Sequence, residues 1–234
     1  MEVRSASFRK LVQKYRDVLR KVPSLLLTFL VLSVVSMNLL ANKELFRTDW
    51  IALDCGFILS WIPFLIMDVI CKVYGGRAAA RISFVAILIN LFFFLVFKLV
   101  SLTPGMWGAY YDTGSLAVNQ ALNATIGGSS WIVLGSALAM AVSSVCNSIL
   151  NVFIGRNSTG DNYGNFALRS FVSTGISQFV DNFVFAVVVS VPLFGWSMVQ
   201  VLVCSASAAV FELLMEVLFS GLGFKLSVVL KSQL

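Results

Sequence analysis

Hydrophobic positions in this chain neither alternate nor keep to one face of a helix; they run in long blocks. Six blocks, at 22–41, 50–70, 82–102, 131–153, 171–191 and 198–219, are mostly apolar and are closed off by charge, Pro, Gly or Trp. At 1.5 Å of rise per residue, about 20 residues cross a hydrocarbon layer about 30 Å thick, so each block predicts a membrane-crossing helix. The first 21 residues differ in kind. Phe8, Leu11, Val12, Tyr15, Val18 and Leu19 recur there at helical spacing among seven basic residues and two acids. That pattern predicts a basic amphipathic helix lying on an anionic membrane surface. A cleaved leader is the competing reading, but no small-residue cleavage site ends the apolar run. The expected organisation is an amphipathic helix over 1–21, a six-helix membrane domain over 22–219 and a cytoplasmic tail over 220–234.

Composition makes the class explicit. Of 234 residues, 59% are hydrophobic and only 12% charged, and the mean hydropathy is +0.91. A soluble domain carries about 25% charged residues, so the chain reads as an all-α polytopic membrane protein with no separate catalytic domain. Charge then sets orientation. Fourteen of the seventeen Lys and Arg fall before the first block or in alternate connections, leaving Lys43 and Arg47 on one outer loop and Lys98 near an outer helix end. By the positive-inside rule both termini are expected in the cytoplasm. The longest connection, 103–130, has no Lys or Arg and is expected outside. Leu116, Leu122 and Ile126 there suit an interfacial or re-entrant helix, and Trp107, Tyr110 and Tyr111 suit the headgroup level.

Several chemistries are excluded by what is missing. The chain has no His, and Cys55, Cys71, Cys146 and Cys204 stand singly, so no metal site is expected and any proton coupling must use Asp or Glu. No Gly-x-x-x-x-Gly-Lys-Ser/Thr loop is present, since Gly127-Gly128-Ser129-Ser130 lacks the lysine, and ATP hydrolysis by this chain is not expected. No Gly-x-Ser-x-Gly elbow occurs either, so an enzyme is disfavoured and no cofactor is expected.

The informative residues are acids and amides inside apolar blocks. An ionisable group at the centre of a membrane helix costs roughly 2.5–3.5 kcal/mol on insertion scales, so it usually faces a cavity or a partner. Asp181 and Gln178 lie about ten residues into the fifth block; Ser173, Ser177 and Asp181 recur every four residues, with Thr174, Gln178 and Asn182 beside them. Such a stripe lines a cavity or a helix interface. Asp68 ends the second block and reads either as a site residue or as a structural anchor for Lys72, Arg77 or Arg81. Tyr74-Gly75-Gly76 reads as a tight turn. Glu212 reads as a proton-binding acid or as the partner of a basic residue, and Glu216 is within reach of the interface. Ser143-Ser144-Val145-Cys146-Asn147 echoes Ser177-Gln178-Phe179-Val180-Asp181, as an inverted repeat would.

The run from Asp68 through Lys72, Tyr74, Gly75, Gly76 and Arg81, with Asn90 following, and the run Arg169, Ser173, Ser177, Gln178, Asp181 and Phe185 resemble signatures of the vitamin uptake transporter family, also called the queuosine precursor transporter family. The resemblance implies a solitary importer in a bacterial plasma membrane. It implies six helices folded like the substrate-binding subunits of energy-coupling-factor transporters, and uptake of 7-deazaguanines such as preQ0, preQ1 or queuine. The chain departs from that pattern in having Lys72 where Glu is usual, Ser144 and Asn147 in a weakened first copy, and Glu212 and Glu216 in the last block.

The residue chemistry is compatible with such a ligand. A 7-deazaguanine presents two N–H donors beside a carbonyl, and a carboxylate, Asp181 or Asp68, can accept both. Gln178 or Asn147 can donate to the carbonyl, Asn90 and Ser177 add polar groups, and Trp61, Phe64, Phe179, Phe183 or Phe185 can stack on the ring. Asp181 and Glu212 are the candidates for coupling. The expected partners are a small-molecule substrate and membrane lipid, the latter suited by the net charge of +6, and not nucleic acid; a homodimer stays open. The alternative function is a binding subunit for another vitamin-like molecule, energised by an external module that docks on small residues such as Ala137-x-x-x-Ala141.

Overall fold

The structure, a computed structural model, describes residues 2–157 and 163–232, and within them the side chains of 2–11, Asp68, Lys72, Ser144, Asn147, Ser148, 151–157, 163–171, Ser173 and Ser220 lie outside the description. It is an all-α multi-pass membrane protein with one small hairpin. Helix α1 (Glu2–Lys21) meets α2 (Ser24–Leu40) at a 105° bend. Pro23 sits at that bend, where a residue without an N–H cannot continue a helix but can start one. Val18 and Leu19 of α1 pack on a cluster of Val22, Leu30, Ile66, Ile70, Ala79, Ile82 and Ala86, so part of its apolar face is covered by protein.

The second block differs from expectation. A span over 50–70 is replaced by strands β1 (Glu44–Arg47) and β2 (Ala52–Asp54), a short 3-10 turn (Cys55–Ile58) and helix α3 (Trp61–Tyr74). The strands pair antiparallel, with Arg47 opposite Ala52 and a bulge near Glu44. The Asp54 carboxylate accepts the Gly56 N–H at 2.8 Å, satisfying a donor at the start of the turn. Gly56 is required at this point because a Cβ there would lie 2.6 Å from the Met37 carbonyl oxygen. Ala52 and Leu53 read as apolar in any window, yet they are buried against Ala186, Trp196, Val201 and Cys204 rather than lipid.

Gly75, at φ +86°, makes the whole connection from α3 to α4 (Gly76–Ser101), as the glycine pair predicted. A short α5 (Gly108–Thr113) follows, and then α6 (Leu116–Asn157), 42 residues long. Its start corrects the expected boundary at 131. Gly127-Gly128-Ser129-Ser130 stays helical because the Ser129 and Ser130 hydroxyls return to carbonyls of their own helix, at 3.0 and 2.9 Å. The small residues also admit neighbours: Asn42 donates to Ser129 Oγ at 2.6 Å, and a Cβ on Gly127 would strike Ser101. Small residues at helix contacts do this throughout membrane proteins.

Helix α7 (Tyr163–Phe185) passes through a π-helical segment (Ala186–Ser190) into α8 (Val191–Phe194). The cause is local. Pro192 has no N–H to offer the carbonyl four residues back, Val188, and the Trp131 indole donates to that oxygen at 3.0 Å instead. Gly135 of α6 faces Val189 so closely that a Cβ there would overlap the valine side chain. Helix α9 (Met198–Lys231) opens with a capping box between Ser197 and Gln200 and runs through the stretch expected as a tail.

Among the described residues four helical stretches, Gly76–Ser101, Leu116–Ser143, Thr174–Phe194 and Met198–Phe219, are long and apolar enough to cross a membrane; the bent α1–α2 pair, a broken span or a re-entrant loop, brings the number to five if it counts as one span, and α3 is shorter. Helix α6 packs between α4 and α7, and α9 lies against α7 and α3.

Candidate functional site

Helix α7 carries the site because consecutive helical residues point about 100° apart, so neighbouring positions engage different partners. Asp181 faces α6, where the Ser143 hydroxyl donates to its Oδ1 at 2.8 Å. Asn182 faces α9 and donates through Nδ2 to Glu212 Oε2 at 3.1 Å, and to the Gln178 carbonyl of its own helix at 2.9 Å. Glu212, 2% exposed, also has the Ser60 hydroxyl within hydrogen-bonding reach and lies close enough to Asp181 to feel its charge. A chain of polar groups therefore runs Ser143, Asp181, Asn182, Glu212, Ser60 across three helices and the entry to α3.

Gln178 lies one turn before Asp181 and Asn182. It is 3% exposed, and neither its amide nitrogen nor its amide oxygen has a hydrogen-bond partner among the described residues. A buried polar group left unpaired costs about 1–3 kcal/mol, and Gln178 carries two. A ligand offering one acceptor and one donor would recover that loss.

The other candidates are distributed more widely. Ser177 is buried beside Gln178. Asn90 is buried on α4, which packs against α2, α3 and α6 rather than in the α7–α9 interface, and its Oδ1 has no partner among the described residues. Asn38 on α2 is alike, with an unpartnered Nδ2. Trp61 opens α3; one ring face is stacked on Phe219 at 4.5 Å and its N–H is given to the Ile58 carbonyl, so neither that face nor the N–H is available to a ligand. Phe179 and Phe183 stack on each other at 6.0 Å along α7. The side chains of Asp68 and Asn147 lie outside the described residues.

Ser60 carries no signal of its own in the sequence. Ser143 stood in the echo of Ser177, and the structure joins it to Asp181 instead. Asn182 belongs to the polar stripe of the fifth block, four residues from Gln178 on the same face.

Among the described residues outside the spanning helices, one carboxylic acid is perturbed. Burial raises the Asp54 carboxyl from 3.8 to about 6, backbone N–H groups of Gly56 and Phe57 oppose the shift, and the Glu44 charge adds to it. The hairpin bearing it is tied to the α8–α9 turn. Arg47 donates to the Phe194 and Gly195 carbonyls at 2.7 and 3.2 Å, the Trp196 indole donates to Glu44 at 2.6 Å, and Gln200 donates to the Thr48 carbonyl at 2.6 Å. Arginine at helix-terminal carbonyls satisfies acceptors the helix leaves open.

Among the described residues no group of His, Cys, Asp and Glu could hold a metal ion. Residues 54–230 match a family model described as putative vitamin uptake transporter. No curated protein and no solved structure matches the chain.

Proposed function

The chain belongs to the vitamin uptake transporter family, and from that premise we propose that it imports a queuosine precursor, a 7-deazaguanine such as preQ0, preQ1 or queuine, by alternating access. The observation that carries this reading is the buried Gln178 amide, unpartnered at both atoms among the described residues and one turn from Asp181. An acceptor-only carboxylate beside a donor amide matches a heterocycle edge with two N–H groups and a carbonyl. Asp181 accepts the two donors, Gln178 answers the carbonyl, and an aromatic ring of α7 or Trp61 covers the plane. The protein acts as a secondary transporter rather than an enzyme. It lies in a bacterial plasma membrane with both termini in the cytoplasm, as the basic residues require.

Ligand-induced thermal stabilisation tests the reading, because a ligand of the native state raises apparent stability by mass action. The purified protein is expected to be stabilised by 7-cyano- or 7-aminomethyl-7-deazaguanine or queuine, and not by guanine, adenine or common vitamins. Asp181→Asn and Gln178→Ala should each abolish the shift while the unliganded melting temperature is kept; Lys72→Glu should retain it. Normal binding by Asp181→Asn would mean the site lies elsewhere, and stabilisation by an unrelated vitamin would overturn the substrate.

A further inference from the structure

Two carboxyl groups lie on either side of helix α7: Asp181 turns toward α6, where Ser143 donates to it, and Glu212 of α9 accepts from Asn182, near enough to Asp181 for their charges to interact. Among the described residues no cation lies in ion-pair contact with Asp181 or Glu212. Each element packed on α9 bears this out. Helix α7 presents Asp181 and Asn182, α3 carries Asp68, Cys71, Lys72 and Tyr74, β2 carries Asp54, the π segment has no titratable group, and α9 itself adds Cys204 before and Glu216 after Glu212. The basic residues of these helices are remote by chain geometry. Lys72 stands 12 residues beyond Ser60 on α3, Arg169 12 residues before Asp181 on α7, and Lys225 13 residues beyond Glu212, each about 18–20 Å along its axis.

Two uncompensated negative charges in a low-dielectric interior repel each other and lose hydration, and one bound proton removes the larger part of that cost. The two carboxyls are not equivalent. Asp181 is half-buried and receives the Ser143 hydroxyl. Glu212 is the more deeply buried, it accepts from Asn182, and the Ser60 hydroxyl within its reach divides its single proton between Glu212 and the Phe57 carbonyl at 3.1 Å.

We propose that Glu212 is the proton-binding site that couples substrate import to proton entry, leaving Asp181 as the ionised acceptor for the substrate. The inference rests on the importer reading above. One proton enters from the outside onto the Glu212 carboxylate, crosses as the carboxyl, and leaves to cytoplasmic water when the site opens inward. Carried with a neutral base, it moves one positive charge inward per substrate. Glutamine at position 212 keeps the shape and the acceptor for Asn182 but can neither bind nor release the proton.

The test uses the whole protein reconstituted in liposomes, wild type against Glu212→Gln. Infrared difference spectra at neutral pH, taken without any substrate, should show a protonated-carboxyl band in the wild type that Glu212→Gln lacks; its absence from the wild type overturns the proposal. With 7-cyano-7-deazaguanine, an inside-alkaline gradient should drive accumulation in the wild type and a protonophore should collapse it. Glu212→Gln should keep counterflow exchange but lose accumulation at least tenfold. Equal accumulation by both proteins, or accumulation insensitive to the protonophore, sinks the coupling and leaves the importer reading standing. Failure of both proteins to bind any deazaguanine sinks the importer reading, and the infrared band still decides the state of Glu212. Asn182→Ala, which removes the N–H donor and keeps the acid, should move the pH profile of uptake; an unmoved profile counts against the proposal.

Discussion

Asp54 illustrates how one side chain can set a pH response without touching a substrate. In the folded protein its carboxyl keeps a proton until about pH 6, whereas an unburied aspartate loses it near 3.8. The folded state therefore binds more protons than the unfolded state between those values, and stability falls as pH rises from about 4 to 6, then levels off. A shift of this size corresponds to roughly 3 kcal/mol at most. Asp54→Asn keeps an oxygen for the Gly56 N–H and removes the ionisation. Its melting temperature should match the wild type near pH 4 and exceed it above pH 6. Parallel melting curves for the two proteins across that range would refute the assignment.

At the scale of elements, the contact of α6 with the π segment is the most demanding. The segment is widened because Pro192 cannot donate to Val188, and α6 answers with two residues: Trp131 supplies the missing donor, and Gly135 makes room for Val189. Gly135→Ala should destabilise the protein by about 1–3 kcal/mol, the range for overpacking a close contact, read as a lower melting temperature in detergent. Val189→Ala in the same chain should restore much of it, since it removes the atom that the new methyl meets. A Gly135→Ala protein as stable as the wild type would show that the two helices separate at little cost. The corrected second block is also an effect at this scale. Its apolar residues 50–53 are used by a hairpin, whose strands satisfy their backbone groups on each other as a helix would satisfy them internally.

Across the whole molecule, the hairpin links the start of the chain to its last third. Arg47, Glu44 and Thr48 hold the turn between α8 and α9, and β2 covers a cluster containing Cys204, two turns from Glu212 on α9. A transporter that alternates access must open such a closure on one side. Arg47→Ala, in a chain with Cys55, Cys71 and Cys146 replaced by Ser, should let a membrane-impermeant maleimide reach Cys204 several-fold faster than in the matched Arg47 chain. Equal labelling rates would mean the hairpin is fixed by its apolar contacts alone.

Amino-acid order alone determined the membrane class, the apolar blocks and the family, because transfer of side chains into hydrocarbon is a sum over local residues and needs no partner. It also determined the glycine turn at Gly75, since the φ of +86° is a property of one residue. Placing Asp181 and Gln178 on α7 required only helical spacing. What faces them was decided by tertiary structure. Ser143 lies 38 residues from Asp181 and Glu212 lies 30 from Asn182, and no periodicity within one helix specifies which face of another it meets. The hairpin was hidden for a related reason: a hydropathy window averages side chains, whereas the choice between strand and helix at 44–54 depended on Arg47, Trp196 and Gln200 finding acceptors across the fold.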